Sequence, residues 1–140
     1  MTDDPKHLRH AVLDWTGDLA FTGGQPDGPS VTIDGDSTQG PSPVVTLLLA
    51  AGACAGADVV SILEKMKVKL ARCRIELTGR RNPDYPRRFN KLWLRFRVAG
   101  EGLTETNARR AVELSVTKYC SVLLTLDPAM PVETEIIIEE

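Results

Sequence analysis

Two kinds of apolar pattern run along this chain, and they predict different elements. From Ala11 to Ile33 the apolar residues come in short runs, Ala11–Trp15, Leu19–Phe21 and Val31–Ile33, separated by Gly, Asp, Thr and Pro. Short runs between turn formers predict a meander of short strands. Thr38-Gln39-Gly40-Pro41 reads as a loop, and Ser42-Pro43 has the form of a helix start. Serine can cap free amides there, and proline is tolerated at the first helical position. From Val44 to Leu63 the chain is then nearly all apolar, which predicts a long helix ending at about Met66.

Gly52 and Gly56 inside that helix each cost roughly 1 kcal/mol against alanine. With Ala53 and Ala57 they form a small-residue face, which predicts close approach of another helix or strand. Alternation returns in Leu70–Thr78, where Cys73, Ile75 and Leu77 share one face and Arg72, Arg74 and Glu76 the other. It continues in Phe89–Val98, with Leu92, Leu94, Phe96 and Val98 inward. The polar stretch Gly79–Arg88 between them reads as a hairpin loop. Thr104 can cap a second helix carrying Ala108, Ala111, Val112 and Leu114, which continues or breaks near Lys118-Tyr119-Cys120. Val132–Ile138 is a last strand. The order predicts one α+β domain over residues 1–140.

Composition changes this picture little. The chain is 42% hydrophobic and 26% charged, and its formal charge of −2 gives no electrostatic reason to expect nucleic acid or an anionic membrane as partner. Basic residues bunch between Lys65 and Arg97 and acidic ones follow Asp127, a pattern that fits solvated strand faces. The Val44–Leu63 run has the length of a membrane span, but Thr46, Asp58 and Ser61 interrupt it, so a buried soluble helix is expected. The opening Thr2-Asp3-Asp4-Pro5 lacks the basic and apolar regions of a leader, so a cytoplasmic location is expected.

The cysteines matter more. In a reducing compartment Cys54, Cys73 and Cys120 are not expected to form a structural disulfide framework, so any bridge should be transient and redox-active. Their spacing contains no close pair and neither histidine lies near them, so no metal site and no cofactor are expected. Cys73 belongs to a strand's inward face and reads as core. Cys54 alone reads as a buried thiol on an apolar helix. Asp58, one turn on, reads equally as a structural and as a functional acid. The arginines from Arg80 to Arg88 read as a solvated loop.

Three stretches together carry a family likeness. The first is Gly40-Pro41-Ser42-Pro43 leading into Leu47-Leu48-Leu49-Ala50-Ala51-Gly52-Ala53-Cys54 and Asp58-Val59-Val60. The second is Gly79-Arg80-Arg81 with Pro86 and Phe89, and the third is Leu114-Ser115 with Lys118-Tyr119-Cys120-Ser121-Val122. In this order the chain resembles the family of osmotically inducible protein C (OsmC) and organic hydroperoxide resistance protein (Ohr), in particular its OsmC-like branch. The resemblance implies antiparallel sheets around a long central helix and an intertwined homodimer with active sites at the subunit interface. It also implies a peroxidatic cysteine on the first helix and a resolving cysteine on the second, which are Cys54 and Cys120 here.

The implied activity is reduction of an organic hydroperoxide, with an external dithiol as reductant. A peroxidatic thiol reacts as the thiolate, which a nearby cation or helix N-terminus favours. Cys54 sits in mid-helix, and a charged Asp58 would oppose the thiolate. The family's peroxidases supply a cation from an N-terminal arginine held by a glutamate nine residues before the cysteine, where this chain has Val45. No arginine occurs between Ala11 and Leu70. That departure sets a second reading beside the first, an OsmC-like stress or small-ligand-binding protein with impaired catalysis.

Overall fold

A computed structural model describes residues 4–140. Part of the opening on which the expectation of no leader rests, residues 1–3, lies outside the described residues. The chain divides into two compact units, one ending at Leu47 and the other spanning Leu48–Glu140.

In the first unit the short apolar runs form three strands, β1 (Val12–Gly17), β2 (Ala20–Gly24) and β3 (Ser30–Asp34), paired as an antiparallel meander. Gly23 is needed where β2 passes β1, because a Cβ there would lie 1.9 Å from the Val12 carbonyl oxygen. The buried carboxylate of Asp34 closes the loop after β3. It accepts the amides of Asp36 at 2.9 Å, Gln39 at 3.0 Å and Thr38 at 3.3 Å, and the Thr38 hydroxyl at 2.8 Å. These bonds hold its carboxyl down at about 2. Helix α1 (Pro43–Lys65) then starts as predicted, with Ser42 Oγ accepting the Val45 amide at 3.1 Å.

In the second unit α1 buries Ala51, Ala55, Val59 and Leu63, a stripe of four-residue steps, in the core that holds Leu92, Leu94 and Phe96. The small-residue face splits. Gly52 and Gly56 lie under strand β4 (Lys69–Arg81), where a Cβ on either would sit 2.6 Å from Leu77 Cδ1 or Ile75 Cδ1 respectively. Ala53 and Ala57 are exposed. Successive helical residues point about 100° apart, so one contact takes the glycines and not their neighbours. The helix is long and apolar enough to cross a membrane by length and composition. It is buried on one face only, since Val45 and Leu49 remain 45% and 51% exposed.

Strand β4 pairs antiparallel with β5 (Phe89–Glu101), whose inward residues Leu92, Leu94, Phe96 and Val98 are those the alternation predicts. The last strand, β6 (Val132–Ile138), corrects the expectation of purely antiparallel sheets, because it joins β5 in parallel. The chain between them forms α2 (Glu105–Leu114), a π-helical turn (Ser115–Tyr119) and α3 (Ser121–Thr125). This crossover returns the chain to the end where β5 begins, as a parallel pair requires. Thr104 caps α2 as predicted, in a reciprocal pair with Asn107. The fold is thus mixed α+β, with two three-stranded sheets and helices.

The β5–β6 register also explains the charge asymmetry. Lys91 pairs with Glu133 at 2.9 Å, Arg95 with Glu135 at 2.8 Å, and Glu139 takes Arg72 at 3.2 Å and Arg97 at 3.7 Å. The basic stretch and the acidic C-terminal stretch therefore neutralise each other across the sheet. Exposed pairs of this kind are worth under about 1 kcal/mol each.

Candidate functional site

Cys54 is half-buried on α1, packed against the core next to the buried Ala55. Cys120 is fully buried where the crossover changes direction. The π-helical turn closes with the Cys120 amide donating to the Ser115 carbonyl at 2.8 Å. Cys120 then leaves helical geometry at φ −73°, ψ 97°, and its sulfur accepts the Leu123 amide at 3.4 Å to start α3. The widened turn is a local irregularity of the kind that recurs at functional sites. Its effect here is to aim Cys120 inward at α1, where Sγ comes within 4.0 Å of the Ala51 carbonyl.

The sulfurs of Cys54 and Cys120 and a carboxylate oxygen of Asp58 all lie within 4.8 Å of one another. Asp58 stands one turn after Cys54 on α1, so the helical repeat places the two on one side. Ser115, from the π-helical turn, donates its hydroxyl to Asp58 Oδ2 at 2.9 Å, with the Ala55 carbonyl 3.3 Å away. A cleft of about 440 Å³ opens beside Asp58, lined also by Ser61, Ile62, Lys65, Leu114 and Tyr119. Among the described residues no lysine or arginine pairs with Asp58.

Burial is the chief influence on the Cys120 thiol and pushes it up to about 11; the Leu123 amide acts against this, and the adjacent Cys54 adds to it. Cys120 is therefore a neutral thiol near pH 7. Cys73 is not brought to the site. It lies on β4 opposite Val98, half-buried, and burial alone raises its thiol above the ordinary value.

Sequence spacing offers no ligand set for a metal, whereas the fold assembles two thiols and a carboxylate. Sequence alone does not mark Ser115 as a site residue. Its place in the Leu114-Ser115 motif was visible, but its bond to Asp58 depends on the π-helical turn. Of the arginines expected in a loop over Gly79–Arg88, Arg80 and Arg81 instead end strand β4, where pairing with β5 continues. They are engaged locally: Arg80 donates to Asn90 at 2.5 Å and Arg81 to the Arg87 carbonyl at 2.8 Å.

Two sheets, a long helix and two free cysteines brought close from separate helical segments define the class. The family model described as OsmC-like protein matches residues 34–135, and the chain belongs to that family. It is 40% identical over 121 residues to Protein YhfA of Escherichia coli K12, covering 86% of this chain and 90% of that one. A hypothetical protein from Aquifex aeolicus VF5 has the same fold at 26% identity and TM-score 0.85, with 95% of this chain and 97% of that one aligned. An OsmC-like protein from Mycoplasma pneumoniae shares the fold alone, at 15% identity and TM-score 0.81 over 99% and 100% of the two chains.

Proposed function

We propose that this protein is a cytoplasmic thiol-dependent peroxidase that reduces organic hydroperoxides, with Cys54 as the peroxidatic and Cys120 as the resolving residue. The observation that carries the reading is the approach of these two sulfurs to within 4.8 Å from distant parts of the sequence. Family membership supports a stress or peroxide-related role. In the first step the Cys54 thiolate attacks the O–O bond, forming an S–O bond and expelling an alkoxide that takes up a proton to become the alcohol. The cysteine is oxidised to a sulfenic acid and the peroxide reduced. Cys120 then displaces hydroxide from that sulfur, giving water and a Cys54–Cys120 disulfide. An external dithiol restores both thiols by exchange and is itself oxidised to a disulfide. The half-exposed outer face of α1, with Val45 and Leu49, supports a homodimer in which a second copy covers it.

One specific observation favours the second reading, an OsmC-like stress or small-ligand-binding protein with impaired catalysis. Val45 stands where the family's glutamate would, and the carboxylate of Asp58 faces both sulfurs within 4.8 Å. Mass spectrometry after one equivalent of organic hydroperoxide, with a chelator present, decides between the two. The peroxidase reading expects a Cys54–Cys120 disulfide and, in Cys120→Ser, a sulfenic acid at Cys54. Recovery of both cysteines unoxidised overturns it.

A further inference from the structure

We propose that the reduced protein binds a thiophilic divalent cation, Zn²⁺, through Cys54 Sγ, Cys120 Sγ and an Asp58 carboxylate oxygen. The site is electrostatically odd for a thiolate nucleophile, since a carboxylate faces two thiols and pairs with no lysine or arginine among the described residues. The same arrangement suits a cation. Two soft sulfurs and one oxygen form a donor set that zinc accepts, and three protein ligands leave a fourth position for water or a small ligand.

The geometry needs little adjustment. Ligand atoms lie within 4.8 Å of one another, against about 3.7 Å across a tetrahedral site with zinc–sulfur bonds of about 2.3 Å. Side-chain rotation by about an ångström closes the difference. The outer partner is already in place, because Ser115 holds Asp58 Oδ2 at 2.9 Å and leaves Oδ1 without a hydrogen-bond donor among the described residues. Such partners orient ligating carboxylates. Binding displaces one proton from each thiol, and no electron is transferred.

The proposal does not rest on peroxidase activity, although it uses the same thiols. Its test is a titration of the reduced full chain with Co²⁺ and then with Zn²⁺ in competition with a chromogenic chelator. One equivalent per chain should bind with a sulfur-to-cobalt charge-transfer band. That band should vanish in Cys54→Ser and persist in Cys73→Ser, with Asp58→Asn weakening zinc at least about ten-fold. Circular dichroism checks each variant, and Asp58→Asn can keep the Ser115 bond should a cysteine variant fold poorly. Absence of saturable binding overturns the proposal. So does equal loss in Cys73→Ser, or wild-type affinity in Asp58→Asn. Zinc binding without peroxide-driven disulfide formation sinks only the peroxidase reading, and the converse sinks only this one.

Discussion

Two carboxylates sit at opposite ends of one scale. Asp34, in the first unit, is 2% exposed and accepts three amides and a hydroxyl. Asp58, in the second, accepts one hydroxyl and otherwise faces two thiols and a cleft. The first has its lone pairs used by the loop it closes, and it serves structure. The second keeps acceptor capacity beside reactive sulfurs, the condition for binding a cation or moving a proton. Saturation by hydrogen bonds, more than burial, separates a structural acid from an available one.

The largest effect should therefore come from Asp34. Asp34→Ala removes the acceptor of four hydrogen bonds and leaves the amides of Asp36, Thr38 and Gln39 without that partner. A thermal melt should show Tm lowered by roughly 10 °C. An unchanged Tm would mean that the loop finds water as readily as the carboxylate, and the contrast would collapse.

Much of this contrast was hidden in the sequence, although the elements were not. Ser42 and Thr104 are local signals and start helices where expected, because capping depends on neighbours within one turn. The alternation of Leu92, Leu94, Phe96 and Val98 was equally legible, since a strand's two faces follow from its period. The parallel placement of β6 was not, because pairing direction depends on how the whole crossover returns. Val44–Leu63 showed a long apolar helix but not which side would be covered, since glycine and alanine look alike until Leu77 and Ile75 select the glycines. At the site, the motifs mark both cysteines, while Asp58 reads from sequence equally as a structural and as a functional acid. Ser115 and Asp34 needed three dimensions: one acts through a π-helical turn, and the other resembles any aspartate in a Gly-rich loop.

The second effect is a pH dependence. The Asp34 carboxyl is held at about 2, below its unfolded value of 3.8. Its contribution is thus fully present above pH 4 and lost as pH falls through about 2, because the unfolded state binds the proton first. Asp34→Asn should flatten the wild-type fall in stability across that window, measured by urea unfolding at each pH. It should also be less stable at pH 7, since its amide turns N–H groups toward other donors. An equal acid slope in both proteins would remove Asp34 as its source.

A smaller change is expected from Ser115→Ala. The hydroxyl is fully buried and is the hydrogen-bond donor to Asp58, so its loss should cost about 1–2 kcal/mol. Chemical denaturation measures this directly. Asp58 sits beside a cleft, where water can replace the lost donor, and this keeps the cost below that of Asp34→Ala. A cost matching that of Asp34→Ala would place Asp58 among the structural acids.

The smallest change in stability, and the most informative, should follow Asp58→Asn. Asparagine retains an oxygen that can accept the Ser115 hydroxyl, so the folded state should lose less than about 1 kcal/mol. What it loses is a negative charge within 4.8 Å of both sulfurs. Two unit charges at that distance repel by about 1 kcal/mol even in a watery dielectric, about a five-fold effect on a rate that depends on it. Alkylation by iodoacetamide at fixed pH, with a chelator present, should accelerate by roughly that factor at Cys54, while Cys73 reacts at an unchanged rate. The partly exposed Cys54 should show the gain first, because Cys120 remains fully buried and neutral until the pH approaches 11. Unchanged alkylation together with a large loss of stability would make Asp58 a second Asp34, and the separation between the two acids would fail at its weaker end.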